Sequence, residues 1–322
     1  MPRAPLLPTL LKVTVLLPVY GVALGLAWLF CSPRRALLLL LPIALAGAWH
    51  LSACSRPLRI GTFNIREFGV ASTDMDALTT LMRSLDADIV AVQEIQSETK
   101  LRDLAGRLSR RATLSRCGGK SAMQIGFLYD DRRVKLVSTR EYPELDPGGG
   151  GRCDAGERPG LLGVFEDGAR TVHLLAIHLT PGGDAGAFGK RKVQWQRAYA
   201  IVRQLRQGGA RNVIILGDAN SAGYLSDDNG ERAFVDAAAR GAGMSVVTGE
   251  LGCSEYWRQS EGVYSPSLLD QAVATEGVVK TGSARVHGYC EELGCKAYRG
   301  KGAPEGWERV SDHCPVTIEM GR

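Results

Sequence analysis

Val213-Ile214-Ile215-Leu216 is a continuous apolar run, mostly β-branched, halted at Gly217. Such a run predicts a strand buried on both faces. Residues 88–94 repeat the construction, with Ile89-Val90-Ala91-Val92 ending at Gln93-Glu94. Alternation over 58–65 predicts another strand. Leu78, Leu81, Met82 and Leu85 recur at helical spacing, so 75–85 reads as a helix, and 99–111, 189–207 and 234–240 read likewise. Two strand pairs are expected: 123–129 with 133–137 about Asp130-Asp131, and 161–165 with 171–178 about Glu166-Asp167-Gly168. Residues 268–274 and 310–320 supply the last strands, 245–266 reads as irregular and 284–309 as a Gly-rich loop. Strands and helices in each half predict two sheets packed face to face, with helices outside.

Residues 1–57 follow a different pattern. An apolar run over 13–30 leads to Cys31-Ser32-Pro33-Arg34-Arg35, and a second run over 36–49 leads to Leu51-Ser52-Ala53-Cys54. The second run is short for a membrane span and suits a signal-peptide core. Small residues before Cys54 resemble a bacterial lipoprotein cleavage site, with Cys54 as the lipidated residue. The rival is a pair of membrane helices, disfavoured because Arg34-Arg35 would then lie outside. The expectation is an exported protein, membrane-anchored through this segment, whose domain, 58–322, is monomeric and outside the cytoplasm.

Charge removes one simple inference. The net charge of +5 comes from 39 basic and 34 acidic residues, and Arg3, Lys12, Arg34, Arg35 and Arg56 lie in the apolar segment. Residues 58–322 then carry 39 − 5 = 34 basic against 34 acidic residues. Phosphate affinity must therefore come from a local patch or a bound cation. An exported setting permits disulfides. Cys117 and Cys153 sit in Gly-rich loops and suit each other. Cys290 and Cys295 could bridge to each other or to Cys253, and Cys314, within an apolar pattern, reads as a buried free thiol. A zinc site from Cys253, Cys290 and Cys295 lacks a supporting CxxC pair.

The strand ends carry Asn64, Glu94, His178, Asp218, Asn220, Asp270, Asp312 and His313. Singly, each is an ordinary cap or turn residue; together, on separate strands, they would share one rim. The group suits metal-assisted attack of water on a phosphodiester. Mg²⁺ takes oxygen ligands, which Glu94, Asn64 and Asp312 offer. Asp218 would be the base, oriented by Asn220. His313 paired with Asp270 would stay charged and His178 would protonate the leaving oxygen.

These stretches resemble the endonuclease/exonuclease/phosphatase superfamily, and within it deoxyribonuclease I. Thr62-Phe63-Asn64-Ile65-Arg66-Glu67 is similar to the first strand there, with Arg66 in the place of a phosphate-contacting arginine. Gln93-Glu94 resembles the metal-ligand strand, Ile177-His178-Leu179 the first histidine strand, Gly217-Asp218-Ala219-Asn220 the GDxN motif and Ser311-Asp312-His313 the terminal SDH. The resemblance implies a four-layer α/β-sandwich and a divalent-metal phosphoesterase using Mg²⁺, with Mn²⁺ as an alternative. Gln271 replaces the histidine many relatives carry after the aspartate. The glutamate orienting the first histidine has no clear counterpart, with Met123 or Gln124 near its place, and the calcium-bound loops of the mammalian enzyme are not recognisable.

Ser265-Pro266-Ser267-Leu268-Leu269-Asp270 lacks the Trp-Cys-Asp-Arg stretch of inositol phosphatases. The exported setting points to extracellular DNA as substrate, and the resemblance implies Arg66, with Asn220, as phosphate contacts. Lys190-Arg191-Lys192 with Trp195 and Arg197 could add to them or be a solvated helix face. A sphingomyelinase-like activity is the alternative, with Tyr256-Trp257 as a candidate membrane contact. An inactive binding module would require loss of Glu94, Asp218 or His313, and all are present.

Overall fold

A computed structural model describes residues 56–321, apart from 147, 149–152, 154, 169, 227 and 228. Cys54 and both long apolar runs lie outside the described residues.

One sheet contains β1 (Arg59–Phe68), β2 (Ile89–Ile95), β3 (Arg111–Leu114), β4 (Gln124–Tyr129), β13 (Arg285–Val286) and β15 (Val316–Glu319), in the order β13-β15-β1-β2-β4-β3. The other contains β5 (Lys135–Tyr142), β6 (Gly160–Asp167), β7 (Arg170–His178), β8 (Asn212–Asp218), β9 (Met244–Val246) and β12 (Asp270–Thr275), in the order β5-β6-β7-β8-β12-β9. Both are mixed: β1 runs parallel to β2 and β7 parallel to β8, amid antiparallel pairs. A small third sheet joins β10 (Glu255–Ser260), β11 (Val263–Ser267) and β14 (Tyr298–Arg299).

Strand alternation divides the apolar residues into layers. Ile60, Ile89, Ala91 and Phe127 of the first sheet meet Phe165, Leu174, Ala176, Ile214, Leu216 and Ala272 of the second in a dry inter-sheet core. The opposite faces, Phe63, Val90 and Val92, bury against α1 (Met75–Ser84) and α2 (Glu98–Arg107). Ile177, Val213 and Ile215 bury against α3 (Ala185–Gln207) and α4 (Glu231–Gly241). The result is helices, sheet, sheet, helices: the expected four layers. Helices α1, α2 and α3 open on side-chain caps, from Asp74, Ser97 and Asp184. Two short helices, α5 (Tyr289–Glu292) and α6 (Glu305–Arg309), lie in the loop-like region before β15.

Several expectations need correction. β4 and β5 are strands but not partners: the chain crosses between sheets at 130–134, β4 pairs with β2 and β5 with β6. Val134 is buried in the inter-sheet core and carries the crossing. The region 245–266 is not irregular, since it forms β9 and the β10–β11 hairpin. Cys314 is not a free thiol, because it bridges Cys290. Cys253 bridges Cys295 and Cys117 bridges Cys153, so no zinc ligands remain among these cysteines. On α3, Arg191 and Trp195 are fully buried, which removes them as a phosphate-binding face. Arg197 donates to the carbonyls of Glu144 and Asp146 instead.

Candidate active site

Alternation also decides which polar groups enter the site. Thr62 and Asn64 continue the inward face of Leu58 and Ile60, while His178, Asp218 and Asp270 continue those of Ala176, Leu216 and Ala272. Register then aligns the second set. His178 pairs with Asp218, and Asp218 with Asp270, so three adjacent strands present three polar side chains at one level. Gly217 before them is required: at φ +144° its Cβ would stand 2.0 Å from the Ile177 carbonyl oxygen.

Glu94 reaches the same place by another route. In plain β alternation it would follow Val90 and Val92 toward the helices. Its backbone instead turns left-handed, φ 62°, where the β2–β4 register shifts. The facing segment of β1 does the same at Arg66 and Glu67, φ 35° and 47°. Asn64 ties the two sheets together: its Nδ2 donates to Glu94 Oε1 at 3.0 Å and to Asp218 Oδ2 at 2.9 Å. The Glu67 amide donates to Glu94 Oε2 at 2.8 Å. Ser311 Oγ donates to the Asn64 carbonyl at 2.8 Å and accepts from the His313 amide at 3.1 Å, seating the SDH segment beside β1.

Asn220 does not share Asp218's direction through extended backbone. It turns at φ 50°, its amide donates to Asp218 Oδ1 at 2.9 Å, and its Nδ2 donates to the Leu179 carbonyl at 3.2 Å. His313 Nδ1 lies 2.8 Å from Asp270 Oδ2 and its Nε2 3.7 Å from Asp218 Oδ2. His178 Nε2 lies 3.3 Å from Asp218 Oδ2 and 3.7 Å from Glu94 Oε1. Asp312 is half-buried at the edge, with Oδ1 accepting from Ser311 Oγ at 3.3 Å, and is outside the two tight ligand clusters found among the described residues. Arg66 lies at the rim, its guanidinium 4.9 Å over the Trp307 ring.

Electrostatics separate the two histidines. Burial of His313 opposes its charge, but Asp270, Asp218 and Asp312 together outweigh that and raise its pKa well above the ordinary histidine value. Burial, then Arg158 and His313, push His178 well below it. Its Nδ1 has no hydrogen-bond partner among the described residues, in keeping with the missing orienting glutamate. The neutral form so favoured is not the one a proton donor to the leaving oxygen would use. Burial pushes Asp218 up to about 7, against the pull of His313.

Two site residues escaped the sequence reading. Arg158, buried, donates from Nη2 to the Leu179 carbonyl at 2.9 Å and from Nε to that of His178 at 3.3 Å, bringing a cation behind Asp218 and Glu94. It lies in a Gly-rich loop with no periodicity to mark it. Glu255 is buried, bridges to His313 across the sheet edge, and is pushed by burial up to about 8.

The donor set fits a divalent cation. Glu94, His178 and Asp218 offer ligand atoms all within 4.8 Å of one another, and Asp218, Asp270 and His313 form a second such group. Carboxylates crowded at this spacing concentrate negative charge that a hard cation would offset.

No curated relative matches the chain at a significant level. Solved structures resemble it in fold. TDP2 of D. rerio, complexed with a single-strand DNA product, is 16% identical with a TM-score of 0.59, over 83% of this chain and 100% of that one. The human Nocturnin catalytic domain with bound sulfate is 14% identical, TM-score 0.56, over 82% and 94%. A Bacteroides thetaiotaomicron mannosyl-6-phosphatase is 14% identical, TM-score 0.55, over 82% and 100%. Residues 61–313 match the Endonuclease/Exonuclease/phosphatase family, spanning the sandwich from β1 to His313. The chain belongs to that family, whose members are divalent-metal-dependent hydrolases of phosphoester bonds.

Proposed function

We propose that the protein is a phosphodiesterase that hydrolyses DNA, using Mg²⁺, or Mn²⁺ in its place. The observation that carries this is the row of His178, Asp218 and Asp270 at one strand level, closed from the facing sheet by Asn64 and Glu94. Glu94 and Asn64, with Asp312 at the edge, would hold the cation. Bound there, it would offset the charge that develops on the phosphate. Asp218, with its Oδ1 anchored by the Asn220 amide, takes the proton of the attacking water. His313, kept charged by Asp270, stabilises the developing negative charge. His313, the charged one of the two histidines, also gives its proton to the leaving oxygen, while His178 adds a neutral hydrogen bond beside Asp218. Arg66 and the free side of Asn220 face the phosphate.

The DNA reading draws support from the likeness in fold to a TDP2 structure holding a DNA product. The three disulfides support the exported setting, since such bonds persist in oxidising compartments. Membrane anchoring through 1–57 and Cys54 rests on the sequence pattern; no helix of the described residues is long and apolar enough to cross a membrane. The test is a substrate panel with the full chain and Mg²⁺: supercoiled plasmid, single-stranded oligonucleotide, sphingomyelin, a sugar phosphate and an inositol phosphate. Nicking of plasmid or cleavage of the oligonucleotide is expected. Hydrolysis of sphingomyelin or a phosphomonoester, with both DNAs intact, would overturn the proposal.

A further inference from the structure

The β10–β11 hairpin has two unlike faces. Its register pairs Tyr256 with Pro266 and Arg258 with Tyr264, and this side packs on Tyr289, Cys290 and Cys314. The other side carries Glu255 opposite Ser267 and Trp257 opposite Ser265, then Val263 opposite Arg299 of β14. Pairing and alternation put all six on one face.

That face begins at the candidate site. Glu255 is bridged to His313, and its carboxyl feels the charges of His313, Asp312 and Asp218. Two residues further, about 7 Å along the strand, Trp257 is 66% exposed. Trp195, by contrast, is fully buried, and Trp307 is packed between Arg66 and Tyr264. The backbone beneath Trp257 is firmly held. The Tyr256 amide donates to the Asp312 carbonyl at 3.1 Å, Trp307 Nε1 donates to the Tyr256 carbonyl at 2.9 Å, and Tyr256 Oη donates to the Lys296 carbonyl at 2.8 Å. Arg299 is exposed at the far end of the face.

We propose that this face binds single-stranded nucleic acid, with a base stacked on Trp257 and the phosphate chain running from the site toward Arg299. A rigidly mounted, solvent-facing indole one strand step beyond a phosphate-cleaving site, followed by a cation, matches the alternation of bases and phosphates. A paired base already has its faces covered, so the platform selects unpaired bases. A membrane-inserting hairpin would carry apolar residues at its tip; here the tip is Gln259-Ser260-Glu261-Gly262. The inference deepens the proposed DNA phosphodiesterase reading and rests on it for the reaction.

The test uses the full chain, wild type, Trp257→Phe and Trp257→Ala. The probes are hexathymidylate and a hexamer of the same backbone with abasic residues. Kd is read in EDTA by fluorescence anisotropy of end-labelled strands, and KM and kcat in Mg²⁺. The wild type should prefer the base-bearing strand about 5- to 150-fold in Kd. Trp257→Ala should erase the preference, Trp257→Phe should keep most of it, and the loss should fall on KM more than kcat. A preference that survives in Trp257→Ala, or an equal weakening for both strands, would overturn the proposal. So would Trp257-dependent binding to phosphatidylcholine–sphingomyelin vesicles with no strand preference. A Trp257-dependent preference in Kd without hydrolysis of either strand would support the platform and defeat the nuclease reading.

Discussion

Glu231→Ala should be among the most damaging single changes away from the candidate catalytic groups. Arg191 and Glu231 are both fully buried and paired twice, Nε to Oε1 at 2.6 Å and Nη2 to Oε2 at 2.9 Å. Arg191 Nη1 also donates to the carbonyls of Thr180 and Gly182 at 3.0 and 2.7 Å, and Glu231 Oε2 accepts from the Gly223 amide at 3.3 Å. The pair therefore clamps the loop after His178 to the loop after Asp218. Truncating the acid leaves a guanidinium without its counter-charge in a dry site, which costs about 3–5 kcal/mol. At about 2–4 °C per kcal/mol for a domain of this size, Tm should fall by roughly 6–20 °C. Replacing both residues, as in Arg191→Met/Glu231→Leu, removes the charge and should recover up to about 2 kcal/mol of that loss. It should not recover all, because three loop hydrogen bonds worth about 1 kcal/mol each disappear. Urea unfolding followed by circular dichroism, without reductant, measures all three proteins. A loss below about 1 kcal/mol for Glu231→Ala, or a double variant less stable than the single, would refute the reasoning.

The remaining expectations are more local. Glu255, whose pKa is raised from 4.5 to about 8, stabilises the fold as the neutral acid; that contribution is complete below about pH 4.5 and fades as pH climbs toward 8. Thermal melts in EDTA should therefore show Glu255→Gln gaining on the wild type between pH 5 and pH 8, and an unchanged difference would count against it. Asp270→Asn should cut kcat by about 10² or more, because the residue 2.8 Å from His313 Nδ1 loses the negative charge that keeps the imidazole protonated; near-wild-type kcat would remove the pair from the mechanism. EDTA should abolish turnover, and Mg²⁺ or Mn²⁺ should restore it; full activity in EDTA would rule out the metal.

What could be read from the sequence follows from burial. β2 and β8 were legible because both faces are dry, so the apolar run is unbroken. The layers followed, and with them the rim that holds His178, Asp218 and Asp270. Long-range partnering was less visible. The turn at Asp130-Asp131 suggested a hairpin, but nothing local records that Val134 passes into the inter-sheet core. The β10–β11 hairpin was hidden because Trp257, Arg258, Gln259 and Ser260 are exposed on both faces, which erases the two-residue period. Cys314 looked like core and is, but its partner is set by where the 288–296 loop folds back. Glu94 and Asn220 were identified by type and position, whereas the left-handed turns that aim them had no signal in side-chain pattern. Arg158 is the clearest omission, since its role is fixed by two carbonyls on β7 and beyond, twenty residues away.

Asp218, held between Asn64, His178 and His313, is the proposed base for metal-dependent cleavage of a phosphodiester. The most direct measurement compares the wild type and Asp218→Asn, at matched melting behaviour, in the rate of cleavage of a DNA strand with saturating Mg²⁺. The rate should fall by about 10² or more with KM little changed. Equal rates for the two proteins would contradict it.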